Sequence, residues 1–123
     1  MSHAINWFEI PVADLGRAQA FYEAVLGKKL RPEVEVSGEH IAIFPSSKEG
    51  VGGALIKSAR RKPSSDGAMA YLNCTGALDE VLSRVPKAGG QIVVPRTDIG
   101  PPGFIAIIVD SEGNAVGLHS ART

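Results

Sequence analysis

Two residues near opposite ends of the chain, Glu9 and His119, carry side chains suited to moving a proton. Both stand in runs that alternate apolar with other residues. Phe8, Ile10 and Val12 alternate with Trp7 and Glu9, and Val116 and Leu118 with Gly117 and His119. A third such run sets Ala70, Leu72 and Cys74 against Met69, Tyr71 and Asn73. Successive side chains of a strand point to opposite faces, so one face of each run packs on a helix and the other looks away from it. The predicted lining of a shared hollow is therefore Trp7, Glu9, Met69, Tyr71, Asn73 and His119, with His40 or Phe44 as further candidates. This is an apolar pocket with a few convergent polar groups, the usual make-up of a ligand site.

An unpaired carboxylate on an inward strand face is costly to desolvate. That setting suits Glu9 to act as a general base, with His119 as its partner, or to bind a cationic ligand. The plainer alternatives are a structural Glu9–His119 hydrogen bond or a carboxylate that meets water in an open cup. Trp7 and Tyr71 could stack on a planar or cationic ligand; core packing is the equal alternative for Trp7. Met69 reads as pocket filler, and Cys74 as an inert buried thiol on the helix side.

The elements that must position these residues are legible in outline. A strand over 6–12 leads to Asp14, placed as the N-cap of a helix whose apolar face is Leu15, Ala18, Phe21, Tyr22, Val25 and Leu26. Gly27 is expected in the left-handed conformation that stops it. Strands follow over 29–36, 41–44 and 53–56, with a turn at Ser37-Gly38. The stretch 57–67, rich in Lys, Arg, Ser, Pro and Asp, reads as a plain solvated linker. The pattern then restarts. A strand over 68–74 precedes a helix capped by Thr75 or Gly76, which carries Leu78, Val81, Leu82 and Val85 and has its last turn shortened or kinked by Pro86 before Gly89-Gly90. Strands over 91–94, 104–109 and 115–119 close the chain, with a turn from Asp110 to Asn114. The loop from Gly100 to Gly103 reads as a stiff connection, with a lid as the alternative.

The second half repeats the first at an offset of about 62 residues. This implies an α+β fold of two tandem βαβββ modules that form a curved, cup-shaped mixed sheet with the helices on its outer face. The expected organisation is one domain over 1–123, with a first module over about 1–57, a linker over 58–67 and a second module over about 68–123. The chain's 123 residues suffice for a buried core, and its 44% hydrophobic and 21% charged residues are ordinary globular composition. A net charge of zero gives no reason to expect nucleic acid or an anionic membrane as a partner. No apolar run approaches the roughly 20 residues of a membrane span. The single cysteine and the absence of a leader pattern at Met1 to Asn6 point to the cytoplasm.

The run Ile10-Pro11-Val12-Ala13-Asp14-Leu15, followed by Ala20-Phe21-Tyr22-Glu23-Ala24-Val25-Leu26-Gly27, resembles the opening signature of the vicinal oxygen chelate superfamily. That group includes glyoxalase I, extradiol dioxygenases, fosfomycin resistance proteins and bleomycin-binding proteins. Asp110-Ser111-Glu112-Gly113-Asn114, followed by Ala115-Val116-Gly117-Leu118-His119, is similar to the family's last hairpin. The resemblance implies four metal-ligand positions on cavity-facing strands. They match Trp7, Met69, Gly117 and a position within Gly53 to Ile56, none of which holds a ligand type. The expectation is a member without the family's metal centre and without a cofactor, which binds an unidentified small molecule in the cup and forms a homodimer. The alternatives are a metal-independent isomerase or lyase using Glu9 and, less in keeping with the residues, a metal-dependent lyase or dioxygenase.

Overall fold

Asp14 starts the first helix as its type and place suggest: its carboxylate accepts the Arg17 N–H at 3.0 Å. Gly27 ends that helix at φ 70°, a conformation that favours glycine. The structure, a computed structural model, describes residues 3–36 and 39–122, so the Ser37-Gly38 turn lies outside the described residues. In chain order the elements are β1 (Trp7–Pro11), α1 (Leu15–Leu26), β2 (Arg31–Val36), β3 (Glu39–Ile43), β4 (Gly52–Lys57), β5 (Tyr71–Asn73), α2 (Leu78–Ala88), β6 (Gln91–Asp98), β7 (Phe104–Val109) and β8 (Ala115–Ser120). Two βαβββ modules thus follow one another, as the internal repeat requires.

Each module makes a four-stranded mixed sheet, ordered β1-β4-β3-β2 in the first and β5-β8-β7-β6 in the second. In each, the first strand pairs in parallel with the last, and the remaining pairs are antiparallel. β1 and β5 therefore each keep an open edge. Two strands differ from the sequence expectation. β5 is only three residues long. β6 runs on past Pro95 to Asp98, because two register irregularities between Ile92 and Thr97 let it stay beside β7. The cap of α2 is also corrected. Its N-cap is Ala77, which makes no side-chain cap bond. Thr75 Oγ1 instead accepts the Ala121 N–H at 2.9 Å, and Gly76 takes φ 82° to turn the chain into the helix. Pro86 is tolerated near the helix end, where Gly90 N–H closes on Val85 O.

One apolar cluster draws on both modules. Phe21, Tyr22 and Val25 of α1 and Val81 and Val85 of α2 join Ile10 and Leu55 from the first sheet and Leu72, Ile108, Val116 and Leu118 from the second. Phe21, Tyr22 and Phe44 meet in edge-on ring contacts at 5.0 and 5.6 Å between centroids. Each buried large side chain contributes on the order of 2 kcal/mol. A smaller cluster of Ile41, Ala54 and Ile56 covers the face of the first sheet that turns away from α1.

The turn from Asp110 to Asn114 fastens the modules together. Tyr22 O–H donates to Asp110 Oδ2 at 2.5 Å, and Asn114 Nδ2 donates to Pro11 O at 2.8 Å. Glu112 Oε1 accepts the Ala13 and Asp14 N–H groups at 3.0 and 2.8 Å, while Arg17 Nε lies 2.7 Å from Glu112 Oε2. Chiefly through Arg17, these donors hold the Glu112 carboxyl down at about 2. Burial, with Asp110 beside it, pushes the Tyr22 phenol well above its ordinary value. Turn chemistry in the sequence located this bend but not its role as a clasp.

Candidate functional site

Trp7 and Glu9 stand on the face of the first sheet opposite Phe8 and Ile10, as strand alternation requires. Glu9 is not unpaired there. Trp7 Nε1 donates to its Oε2 at 3.2 Å, and Arg61 Nη2 lies 2.6 Å from its Oε1. The supplier of that cation is the stretch 57–67, which is mostly exposed, as expected of a solvated linker. Arg60 sits 3.6 Å from Glu39, and the backbone of Ser64 bonds to Asn114 Oδ1 and to the Ala115 N–H. The linker is docked on the sheets because its basic run meets strand carboxylates that the sequence could not place beside it.

In the second sheet the register sets Tyr71 beside Gly117 and Asn73 beside His119. A Cβ at Gly117 would come within 2.2 Å of the Tyr71 ring, so this glycine is the floor on which the tyrosine lies. His119 does not meet Glu9. Its Nε2 lies 2.7 Å from Pro102 O. The 100–103 loop that supplies this oxygen is fastened again through Gly103 N–H to Gly100 O and Arg122 Nε to Gly100 O, at 2.9 and 3.2 Å. It is a tied connection.

Three of the expected lining residues share a cavity. Met69, Tyr71 and Asn73 border a space of about 640 Å³ together with Ile5, Phe8, Leu72 and the loop that holds Pro45, Ser46, Ser47 and Val51. Trp7, Glu9 and His119 are not among its walls. Glu9 borders a smaller space of about 130 Å³ with Lys62, Ser64 and Asn114. The larger cavity lies along the seam between β1 and β5, so it takes side chains from both faces of the sheets. Phe8 and Leu72 belong to the helix side, yet they reach it past the open strand edges. Phe44, a lining candidate from the sequence, packs against Phe8 at 5.5 Å between ring centroids and walls the neighbouring space instead of this one. That neighbouring space, of about 360 Å³, continues the seam toward Leu26, Lys28, Cys74 and Val81. Burial pushes the Cys74 thiol up to about 11, so it is a wall and not a nucleophile.

A further cavity of about 370 Å³ lies at the start of α2, between Asp79, Glu80, Arg96 and Arg122. Its two guanidinium groups are already matched. Arg96 pairs with Asp79 at 3.2 Å and Arg122 with Asp98, while both guanidinium groups lie over the Phe104 ring at 4.1 and 4.5 Å. Such a site offers a ligand little that is unsatisfied.

The four positions that the resemblance implies for a metal carry Trp7, Met69, Gly117 and a β4 stretch of Gly, Ala, Leu and Ile, a set that does not fit a metal because it offers no imidazole, carboxylate or thiolate ligand. The nearest candidates are engaged elsewhere, Glu9 by Arg61 and His119 by Pro102. Among the described residues, no group of three His, Cys, Asp or Glu side chains is placed to hold an ion.

Two modules of this topology, joined by a clasp at the last hairpin, define a family. Residues 4–118 match the model of the Glyoxalase/Bleomycin resistance protein/Dioxygenase superfamily, and the chain belongs to that superfamily. It is similar to CFP32 of Mycobacterium tuberculosis, a protein named as a glyoxylase, with 28% identity over 121 residues. That match takes in 95% of this chain and 45% of CFP32, so the chain spans about half the length of the curated relatives it matches. Among solved structures it resembles a glyoxalase/bleomycin resistance protein from Albidiferax ferrireducens, at 18% identity and a TM-score of 0.66, covering 98% of this chain and 100% of the other. It also resembles the fosfomycin resistance protein FosX of Listeria monocytogenes, at 14% identity and a TM-score of 0.67, covering 100% and 94%. At these identities the likeness to solved structures shows the fold alone. Among the described residues, no helix is long and apolar enough to cross a membrane.

Proposed function

We propose that the protein binds a small organic molecule in the seam between its modules and does so without the metal centre of its superfamily. The observation that carries this reading is the cavity of about 640 Å³ walled by Phe8, Val51, Met69, Tyr71 and Leu72, with Ser46, Ser47 and Asn73 as its polar members. Its size is in the range of sites for drug-sized ligands, and its apolar walls with a few hydrogen-bonding groups are the usual make-up of such a site. The Asn73 carbonyl is taken by the Thr75 N–H at 3.0 Å, which leaves the amide N–H₂ to orient a ligand.

The rival reading is an isomerase or lyase with Glu9 as its acid or base. It meets two obstacles. Arg61 lies 2.6 Å from the carboxylate, and Glu9 is absent from the walls of the larger cavity. Both carboxylate oxygens already have partners, Arg61 on one and the Trp7 indole N–H on the other.

The chain has two methionines, one of them Met1, so labelled methionine methyl groups give a nearly private signal for Met69. In a screen of small aromatic and heterocyclic compounds, saturating ligands should shift the Met69 methyl. Zn²⁺, Ni²⁺ and Mn²⁺ should leave it in place, and protein dialysed after metal loading should retain none. Ligands that saturate without moving Met69, or one divalent ion retained per chain, would refute the proposal.

A further inference from the structure

Resting on the seam as the ligand site, we propose that its ligands are amphipathic anions: an apolar body of ring size in the seam and a carboxylate, sulfonate or phosphate group at Lys28. Three observations support this. First, the cavities of about 640 and 360 Å³ are one groove, because Phe8, Pro45, Val51, Leu72 and Asn73 wall both. Secondly, the groove has a sign. Among the described residues, no Asp or Glu lines either part, and Lys28 alone of those lining residues carries a charge. Thirdly, that charge is unspent. Lys28 has no ion-pair or hydrogen-bond partner among the described residues, although a carboxylate stands close in sequence. That carboxylate, Glu23, is turned to the Leu30 N–H at 2.8 Å, the Gln19 amide at 3.1 Å and Lys29 at 3.9 Å.

The physical consequence follows from the walls. A charge pair bordered by apolar side chains is screened less than one in open water. A cationic ligand would meet an uncompensated ammonium and no carboxylate, whereas an anion would find its partner without breaking an existing pair. Asn73, at the junction of the two cavities, adds a neutral donor beside the path.

Two fluorescent probes of nearly the same shape test the sign. 8-Anilinonaphthalene-1-sulfonate carries a sulfonate, and N-phenyl-1-naphthylamine lacks it. Titrated against the full chain, both should saturate at one site, with the sulfonate bound roughly fivefold more tightly. Lys28→Glu changes an exposed side chain, and it should weaken the sulfonate about tenfold while leaving the neutral probe within about twofold. Val51→Trp, with Ser47→Trp at the same wall as a second variant, should weaken both probes at least about tenfold by filling the groove. Equal affinities, or a Lys28→Glu effect shared by both probes, would overturn the anion preference and leave the seam as a binding site. Probes that do not saturate, or that ignore both tryptophan variants, would overturn the seam itself.

Discussion

At Gly53 and Gly117 a missing side chain is what the fold uses. A Cβ at Gly53 would sit 2.1 Å from the Phe8 ring, and one at Gly117 2.2 Å from the Tyr71 ring. The two contacts are alike in distance but not in consequence. Phe8 is hemmed in by Phe44 at 5.5 Å between centroids, whereas Tyr71 is 47% exposed and free to swing. Gly53→Ala should therefore cost about 2–3 kcal/mol in urea unfolding, and Gly117→Ala about 1 kcal/mol or less. The glycine at 117 would then show itself mainly as weaker ligand binding through the displaced tyrosine.

Glu112 gives the residue-scale prediction in pH. Its carboxyl is held at about 2 against an ordinary 4.5, chiefly by Arg17, and its side chain has no exposed surface. Because the folded value is depressed, its stabilisation is complete above about pH 4.5 and is lost as the pH falls toward 2. Allowing for the half-exposed Arg17, that amounts to about 2 kcal/mol. Denaturant titrations between pH 7 and 2 should show this loss in the native chain. Glu112→Gln should lower stability at pH 7 and flatten the acid limb; an unchanged limb would mean that Glu112 is not the titrating group.

At the scale of elements, the five residues from Asp110 to Asn114 do more than reverse the chain. They bind the end of β1 through Pro11, the start of α1 through Ala13 and Asp14, and the middle of α1 through Tyr22. Tyr22→Phe removes one hydrogen bond while leaving Asp110 with the Asn114 amide and two N–H groups, so a loss of about 1–2 kcal/mol is expected. Asp110→Ala strands all of these donors together and should cost more, read from the same urea titration. At α2, the N-cap Ala77 offers no acceptor to the first turn. Ala77→Ser should raise the melting temperature by the equivalent of about 0.5–1 kcal/mol, provided that the cap's backbone, at φ −140° and ψ 15°, relaxes toward the extended region.

At the scale of the whole molecule, the modules share one core but not one hydrogen-bonded sheet. Their outer strands leave open edges, and β6 exposes Ile92 at 40% and Val93 at 57%. If a second copy covers such an edge, light scattering gives twice the 12.9 kDa of the chain. A mass that stays at one chain across a dilution series would remove this expectation. Replacing Val93 with Lys should then shift the equilibrium toward the single chain if β6 forms the contact.

The order of elements, the duplication and the two families of strand faces were decided by local sequence, because side-chain alternation and helix periodicity are properties of neighbouring residues. The Asp14 cap and the Gly27 stop follow from that alone. Which charges meet was not decidable there. Arg61 reaches Glu9 across 52 positions, and Glu112 reaches Arg17 across 95. The seam is of the same kind: its walls come from both faces of two edge strands and from the loop around Pro45, and a gap between edges has no periodicity. Packing of one module on the other created it, and packing also left Lys28 as its unmatched charge.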